Sequence, residues 1–142
     1  MDAALSDSLE RFVRAQEARY PGVVAELRVG RKTGHWIWYI FPQLRGLGSS
    51  QASVYYGIAD ADEARRYIEH PILGPRYEEC VALVHHWIVA EGYPAIEVMG
   101  SEIDVMKLRS SLQLFGALTS SAGLKSMAAE LSQALKCDHG PM

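Results

Sequence analysis

Apolar residues in this chain recur at intervals of three and four, segment after segment, and that spacing constrains the fold more than any other feature. It marks one face of a helix, because a helix repeats every 3.6 residues. Leu5, Leu9, Phe12 and Val13, followed by Gln16, set one such face. Tyr77, Cys80, Val81, Val84, Trp87 and Ile88 set another. No succession of alternating apolar and polar segments suggests a sheet. The fold class is therefore mainly α: a compact bundle of about five to six helices with at most a token sheet. The 142 residues fit one domain, residues 1–142, large enough to bury roughly 70% of the surface its unfolded chain exposes. Residues from about 137 to 142 read as a frayed tail.

Punctuation residues divide the pattern. The first helix, over about 5–19, is expected to start at Ser6 or Asp7 and end at Tyr20-Pro21-Gly22, with a second short helix from Val23 to Val29 closed by Gly30. Asp60 and Glu63 have capping-box spacing for a helix that runs to Glu69 and stops at His70-Pro71. There His70 would sit as a cation near a helix C-terminus. A long helix is expected from about Arg76 to Glu91, a helical turn over Ile96–Gly100, a helix behind Ser101-Glu102-Ile103-Asp104 to about Leu114, and a last helix from about Gly123 to Leu135.

The stretch from Gly30 to Ser53 breaks this pattern. It holds Gly30, Gly34, Gly46, Gly48 and Pro42 around the run His35-Trp36-Ile37-Trp38-Tyr39-Ile40-Phe41. A run this short is compatible with a buried strand or a buried helical turn. The residues from Pro42 onward read as a long, ordered loop, and such loops inside compact domains tend to carry function.

Charge and composition exclude several classes. The net charge of −3 leaves no basic excess for a phosphate backbone, so no nucleic-acid partner is expected. Arg28, Arg31 and Lys32, and Arg65 with Arg66, read as solvated faces. The N-terminal stretch lacks a basic region followed by an apolar run, and nothing approaches about 18 uninterrupted apolar residues; the expectation is a cytoplasmic protein with no membrane partner. Cys80 lies in an apolar helical stretch and Cys137 in the tail, with no zinc spacing and no disulfide framework. His85 and His86 are adjacent, so on a helix they point about 100° apart and share a metal poorly. No cofactor and no metal site are expected.

Several motifs resemble the uncharacterised bacterial family called domain of unknown function 1810. They are Arg11-Phe12-Val13-x-Ala15-Gln16; Gly30-x-Lys32-x-x-His35-Trp36-Ile37-Trp38-Tyr39-Ile40-Phe41-Pro42-Gln43-x-x-Gly46-Leu47-Gly48-x-Ser50; Tyr56-Gly57-Ile58; Glu63-Ala64-x-x-Tyr67; His70-Pro71-x-Leu73-Gly74-x-Arg76; and Asp104-x-x-Lys107-Leu108-x-Ser110-Ser111-x-x-Leu114-Phe115. The resemblance spans nearly the whole chain and implies a compact, mainly helical fold. It supplies no activity and no catalytic residues. Two departures stand out: Gly34, where a serine or similar residue is expected before the histidine, and Gln113, where threonine is more usual. The label calpastatin-like, sometimes attached to such proteins, is physically implausible for a compact, apolar chain.

Three features are candidates for chemistry. Trp36 and Trp38 have flat faces that stack on a ring, beside His35 as a proton or hydrogen-bond donor; the alternative is that both indoles are core. Gln43 and the Gly46–Ser50 loop offer backbone N–H groups to an anion; the alternative is a turn with a helix cap. Asp104, Lys107 and Ser110 fall on one helical face, next to Ser111, as a cleft in which Lys107 stabilises charge and Asp104 is an acid or base; the alternative is a surface ion pair. The leading expectation is a pocket for a nucleotide-like or ADP-ribose-like small molecule. His35, Asp104 and Lys107 are its catalytic candidates, and Trp36, Trp38, Gln43, Ser110 and Ser111 its ligand contacts. A non-catalytic protein-interaction module, with a protein partner, is the alternative; a purely structural protein is the third reading.

Overall fold

In the computed structural model, which describes residues 2–46 and 48–138, the first helix does not stop where its sequence suggests. Helix α1 runs from Asp2 to Arg28 with Pro21 inside it. Pro21 and Gly22 are both exposed, while Val23 and Leu27 beyond them are buried with Leu9 and Phe12. An interior proline costs about 3 kcal/mol. Burying two large aliphatic side chains returns about 1.5–3 kcal/mol each, so keeping the apolar face continuous outweighs the lost hydrogen bond. Ser6 and Asp7 consequently lie within the helix rather than at its start.

The aromatic run resolves as a helical turn, α2 (Ile37–Ile40). It is followed by α3 (Gln51–Tyr55), α4 (Ala61–Glu69) and α5 (Leu73–His85). A π-helical turn over His86–Ala90 extends α5, and α6 (Ala95–Met99), α7 (Glu102–Leu118) and α8 (Ala122–Asp138) complete the order. The described residues thus form an all-α architecture with more helices than expected: the aromatic run takes the helical alternative as α2, and α3 begins within the stretch read as loop. They contain no strand; a single parallel bridge joins Leu44 and Ile58. Beyond α8, the tail residues 139–142 lie outside the described residues.

Several starts and stops follow the sequence. Asp60 caps α4 by accepting from Glu63 N–H at 2.9 Å, though Glu63 reaches back to Ala59 N–H (2.8 Å) rather than to Asp60. Ser101 caps α7 by accepting from Asp104 N–H at 3.1 Å. Helix α5 begins earlier than expected, since Pro75 sits in its first turn, where a missing N–H costs nothing. His70 does not act there as a C-terminal cation. Its Nδ1 accepts from the N–H groups of Ile72 (3.0 Å) and Leu73 (3.3 Å), which requires a neutral ring, and burial pushes its pKa down.

Helix α7 packs between α8 and α4, and α5 packs on α1, α4 and α8. Their shared interior is aromatic. Tyr67 meets Phe12 edge-on at 5.0 Å and Phe115 at 5.1 Å, and Tyr77 meets Phe115 at 4.8 Å. Buried Gln16 ties this core to α2: its Nε2 donates to Tyr39 O at 2.8 Å, and its Oε1 accepts from Arg76 Nη1 at 3.4 Å. No helix among the described residues is long and apolar enough to cross a membrane.

Candidate functional site

Two carboxylates fold the Arg31–Trp36 segment into place. Glu26 on α1 accepts from Thr33 N–H (2.8 Å), Gly34 N–H (3.0 Å) and Trp36 Nε1–H (2.9 Å) with one oxygen. Burial works to raise its pKa, but these donors outweigh it and hold the carboxyl below the usual range. Gly34 permits the wrap: a Cβ there would stand 2.9 Å from Trp36 Cδ1 and 3.2 Å from Glu26 Oε2. The hydroxyl-bearing residue expected at this position would crowd both. The second carboxylate is Asp104 on α7, whose Oδ2 lies 2.7 Å from Lys32 Nζ. Lys32 Nζ also donates to Gly34 O at 2.6 Å and stands 5.0 Å from the centre of the Trp36 ring.

Lys32 is thus a buried residue, not part of a solvated face; only Arg28 and Arg31 of that cluster are exposed. It takes the near side of Asp104. Lys107, three residues along α7, is left at 3.9 Å from Asp104 Oδ1 and lies 4.7 Å from the centre of the Trp38 ring. The two lysines therefore stack on the two tryptophans on either side of one carboxylate.

Lys107 and Trp38 line a cleft with Ile37, Phe41, Gln43 and Tyr56. Its volume is about 230 Å³ counting the open mouth, with interior room for about one water. The far wall is set from a distance. Arg11 on α1 donates to Tyr55 O (2.8 Å) and Gly57 O (2.9 Å) and pairs with Glu63 at 3.1 Å. Gln43 is held through its backbone, since Gln43 O accepts from Ile58 N–H at 2.9 Å. Trp38 is half-buried and its Nε1 is fully buried; that nitrogen has no hydrogen-bond partner, alone among the buried side-chain nitrogens and oxygens of the described residues. The other two indoles are bonded, Trp36 to Glu26 and Trp87 to Leu27 O at 2.8 Å.

The structure brings Trp38, Gln43 and Lys107 to one cleft and sets Asp104 behind it. Trp36 is core, 4% exposed, and reaches the cluster only through Lys32. His35 is exposed and lies outside the cleft lining. Ser110 is half-buried and does not line the cleft, and Ser111 is buried on the core side, bonded to Tyr77 OH at 2.9 Å. The Gly/Ser loop ends in a simple cap: Ser50 Oγ accepts from Ser53 N–H at 3.1 Å to start the five-residue α3. Sequence reasoning missed Lys32, Glu26 and Tyr56. For Lys32 the signal was present, as its place inside the long aromatic motif sets it apart from its two basic neighbours. Among the described residues no group of three or more His, Cys, Asp or Glu is placed to hold a metal ion.

A family model described as a protein of unknown function, DUF1810, matches residues 6–138. The crystal structure of a conserved hypothetical protein, Rv1873 from Mycobacterium tuberculosis, is 45% identical over 89% of this chain and 88% of that one, with a TM-score of 0.78. None of the curated proteins compared with the chain matches it.

Proposed function

The chain belongs to the DUF1810 family of proteins of unknown function, and on that premise we propose that it binds a small anionic molecule in the cleft between Trp38 and Lys107. The observation that supports this reading is Lys107, a cation that lines the cleft over the Trp38 ring and has Asp104 only at 3.9 Å. Asp104 is already matched by Lys32 at 2.7 Å. Two cations and one anion leave one positive charge, and it falls on Lys107 at the cleft. A nucleotide-like or ADP-ribose-like molecule belongs to this class by virtue of its phosphates; since the cleft interior holds about one water, such a molecule meets Lys107 with a phosphate at the mouth and keeps its body outside.

The test is a thermal-shift panel of nucleotides, NAD, ADP-ribose and small organic acids on the purified protein. A ligand at 100 times its dissociation constant adds about 2.7 kcal/mol of stability. The expected result is a raised midpoint with at least one anion that disappears in Lys107→Ala. A shift that survives Lys107→Ala would place binding elsewhere, and a flat panel would remove the reading.

A second reading, a protein-interaction surface, is favoured by a separate feature. Val29 (71% exposed), Tyr93 (45%) and Ile96 (48%) line a broad open groove between the end of α1 and α6. The aromatic motif does not supply that surface, because Trp36 is buried and Trp38 half-buried.

A further inference from the structure

Resting on the reading of the groove between the end of α1 and α6 as an interaction surface, we infer that its partner is a second copy of this chain, docked about a two-fold axis that runs along the groove. The first ground is shape. The groove measures about 1210 Å³ with its open mouth included, above the roughly 300–1,000 Å³ of pockets that enclose a small ligand. It suits a folded surface rather than a small molecule. Of the nine large apolar side chains that stand exposed among the described residues, three line it: Val29, Tyr93 and Ile96.

The walls of the groove are fixed in advance. Lys32 N–H donates to Val98 O at 2.8 Å and ties the α1 wall to α6. Gly30 lies against the Trp87 ring, and Tyr93 meets that ring edge-on at 5.1 Å. A preformed face loses little freedom on docking.

The second ground is charge, and it decides the occupant. Arg31 stands on the α1 wall and Glu97 on the α6 wall. Both are exposed, and neither side chain has an ion-pair or hydrogen-bond partner among the described residues. Lys32, also on the α1 wall, has its charge matched by Asp104 at 2.7 Å. The free charge of the groove is therefore one cation and one anion on facing walls. A basic partner would set a like charge against Arg31, and an acidic one would do so against Glu97. A surface with one of each is complementary to itself.

In a two-fold interface, residue i of one copy meets residue j of the other, and j meets i. An axis along the groove lays the α1 wall of one copy over the α6 wall of the other. Arg31 then meets Glu97 twice, and Val29 meets the wall that carries Tyr93 and Ile96. An axis across the groove would set Arg31 on Arg31 and Glu97 on Glu97, which like-charge repulsion disfavours.

Sedimentation of the whole protein at low salt, over about 5–500 µM, is the test. The expected result is a monomer–dimer equilibrium with a dissociation constant in the micromolar range, as for a small interface. Ile96→Asp should abolish the dimer. Arg31→Glu and Glu97→Arg should each weaken it by about tenfold or more. Mixed together, those two variants should pair with each other, since each supplies the charge the other lacks, and the double variant should dimerise like the parent. All three positions are exposed, and circular dichroism checks that each variant is folded. A monomer throughout the range overturns the second copy as partner. A dimer that ignores these substitutions lies on another face and overturns it too. Pull-downs with immobilised parent and Ile96→Asp chains separate the two failures. A protein retained by the parent alone leaves the groove an interaction surface for a different partner, and no difference between the two removes that reading as well.

Discussion

Lys32 Nζ and Asp104 Oδ2 stand 2.7 Å apart across 72 residues of sequence, joining the aromatic loop to the middle of the bundle. The lysine side chain is 5% exposed and the aspartate 15%, so the pair is held largely out of water. In that setting the pair itself adds little net stability, but removing one partner strands a buried charge. Asp104→Asn should therefore cost about 3 kcal/mol, because it leaves Lys32 and Lys107 without an anion, and Lys32→Met somewhat less, since Asp104 keeps Lys107 at 3.9 Å. The double substitution should cost clearly less than the sum of the two. Urea denaturation of the four proteins measures this, and additive single effects would refute the coupling.

Ser111 tests the distinction between core and cleft on one helix. It is bonded to Tyr77 OH inside the core, so Ser111→Ala should lose about 1–2 kcal/mol by leaving a buried hydroxyl unpaired, with no effect on any ligand of the cleft. Ser110→Ala, one residue away on the half-buried side, should change stability by less than about 0.5 kcal/mol. Thermal denaturation of both variants gives the answer, and equal effects would contradict the placement of Ser111.

Gly30 has φ +74°, and a Cβ there would come 2.8 Å from Cδ2 of Trp87. Both the conformation and the space exclude a side chain, so Gly30→Ala should destabilise by about 2 kcal/mol or more. The readout is the denaturation midpoint together with Trp87 fluorescence. An unchanged midpoint would mean that the Trp87 ring moves aside at no cost.

His70 predicts a pH slope. Burial lowers its pKa in the folded protein, and its Nδ1 must stay unprotonated to accept from Ile72 and Leu73 N–H. The unfolded chain therefore binds the proton more readily. The contribution is fully present above the unfolded value of about 6.5 and is lost as pH falls through the lower folded value. In His70→Asn, which keeps an acceptor but does not titrate, stability between pH 7.5 and 5 should fall less than in the parent. Identical slopes in the two proteins would remove His70 as the cause.

Glu26 and Glu63 extend that argument to lower pH. Burial works to raise both carboxyls, yet in each the hydrogen bonds win and the folded pKa is lowered. Their contribution is present above the unfolded range near about pH 4.3 and is lost below it, as protonation releases Trp36 from Glu26 and Arg11 from Glu63. Glu26→Gln should flatten the acid limb and be less stable than the parent at pH 7. A full-strength acid transition in that variant would assign the limb to other groups.

Much of the fold was legible because helical periodicity is a local property. The faces of α5 and α7, the cap at Asp60 and the stop at His70-Pro71 all depend on neighbours within a few residues. The family motifs were equally legible, and they mark a region rather than its roles. Pro21 shows the limit: local rules end α1 there, whereas the burial of Val23 and Leu27 carries it through. The division of labour in HWIW also lies beyond periodicity. Trp36 is core because Glu26, ten residues back on α1, takes its indole N–H, and Trp38 is a cleft wall because no such acceptor stands near it. Sequence spacing put Asp104 and Lys107 on one face, one turn apart. That Asp104 is already claimed by Lys32, leaving Lys107 as the spare charge, is a contact across 72 residues, which only the packing of the aromatic loop against α7 could decide.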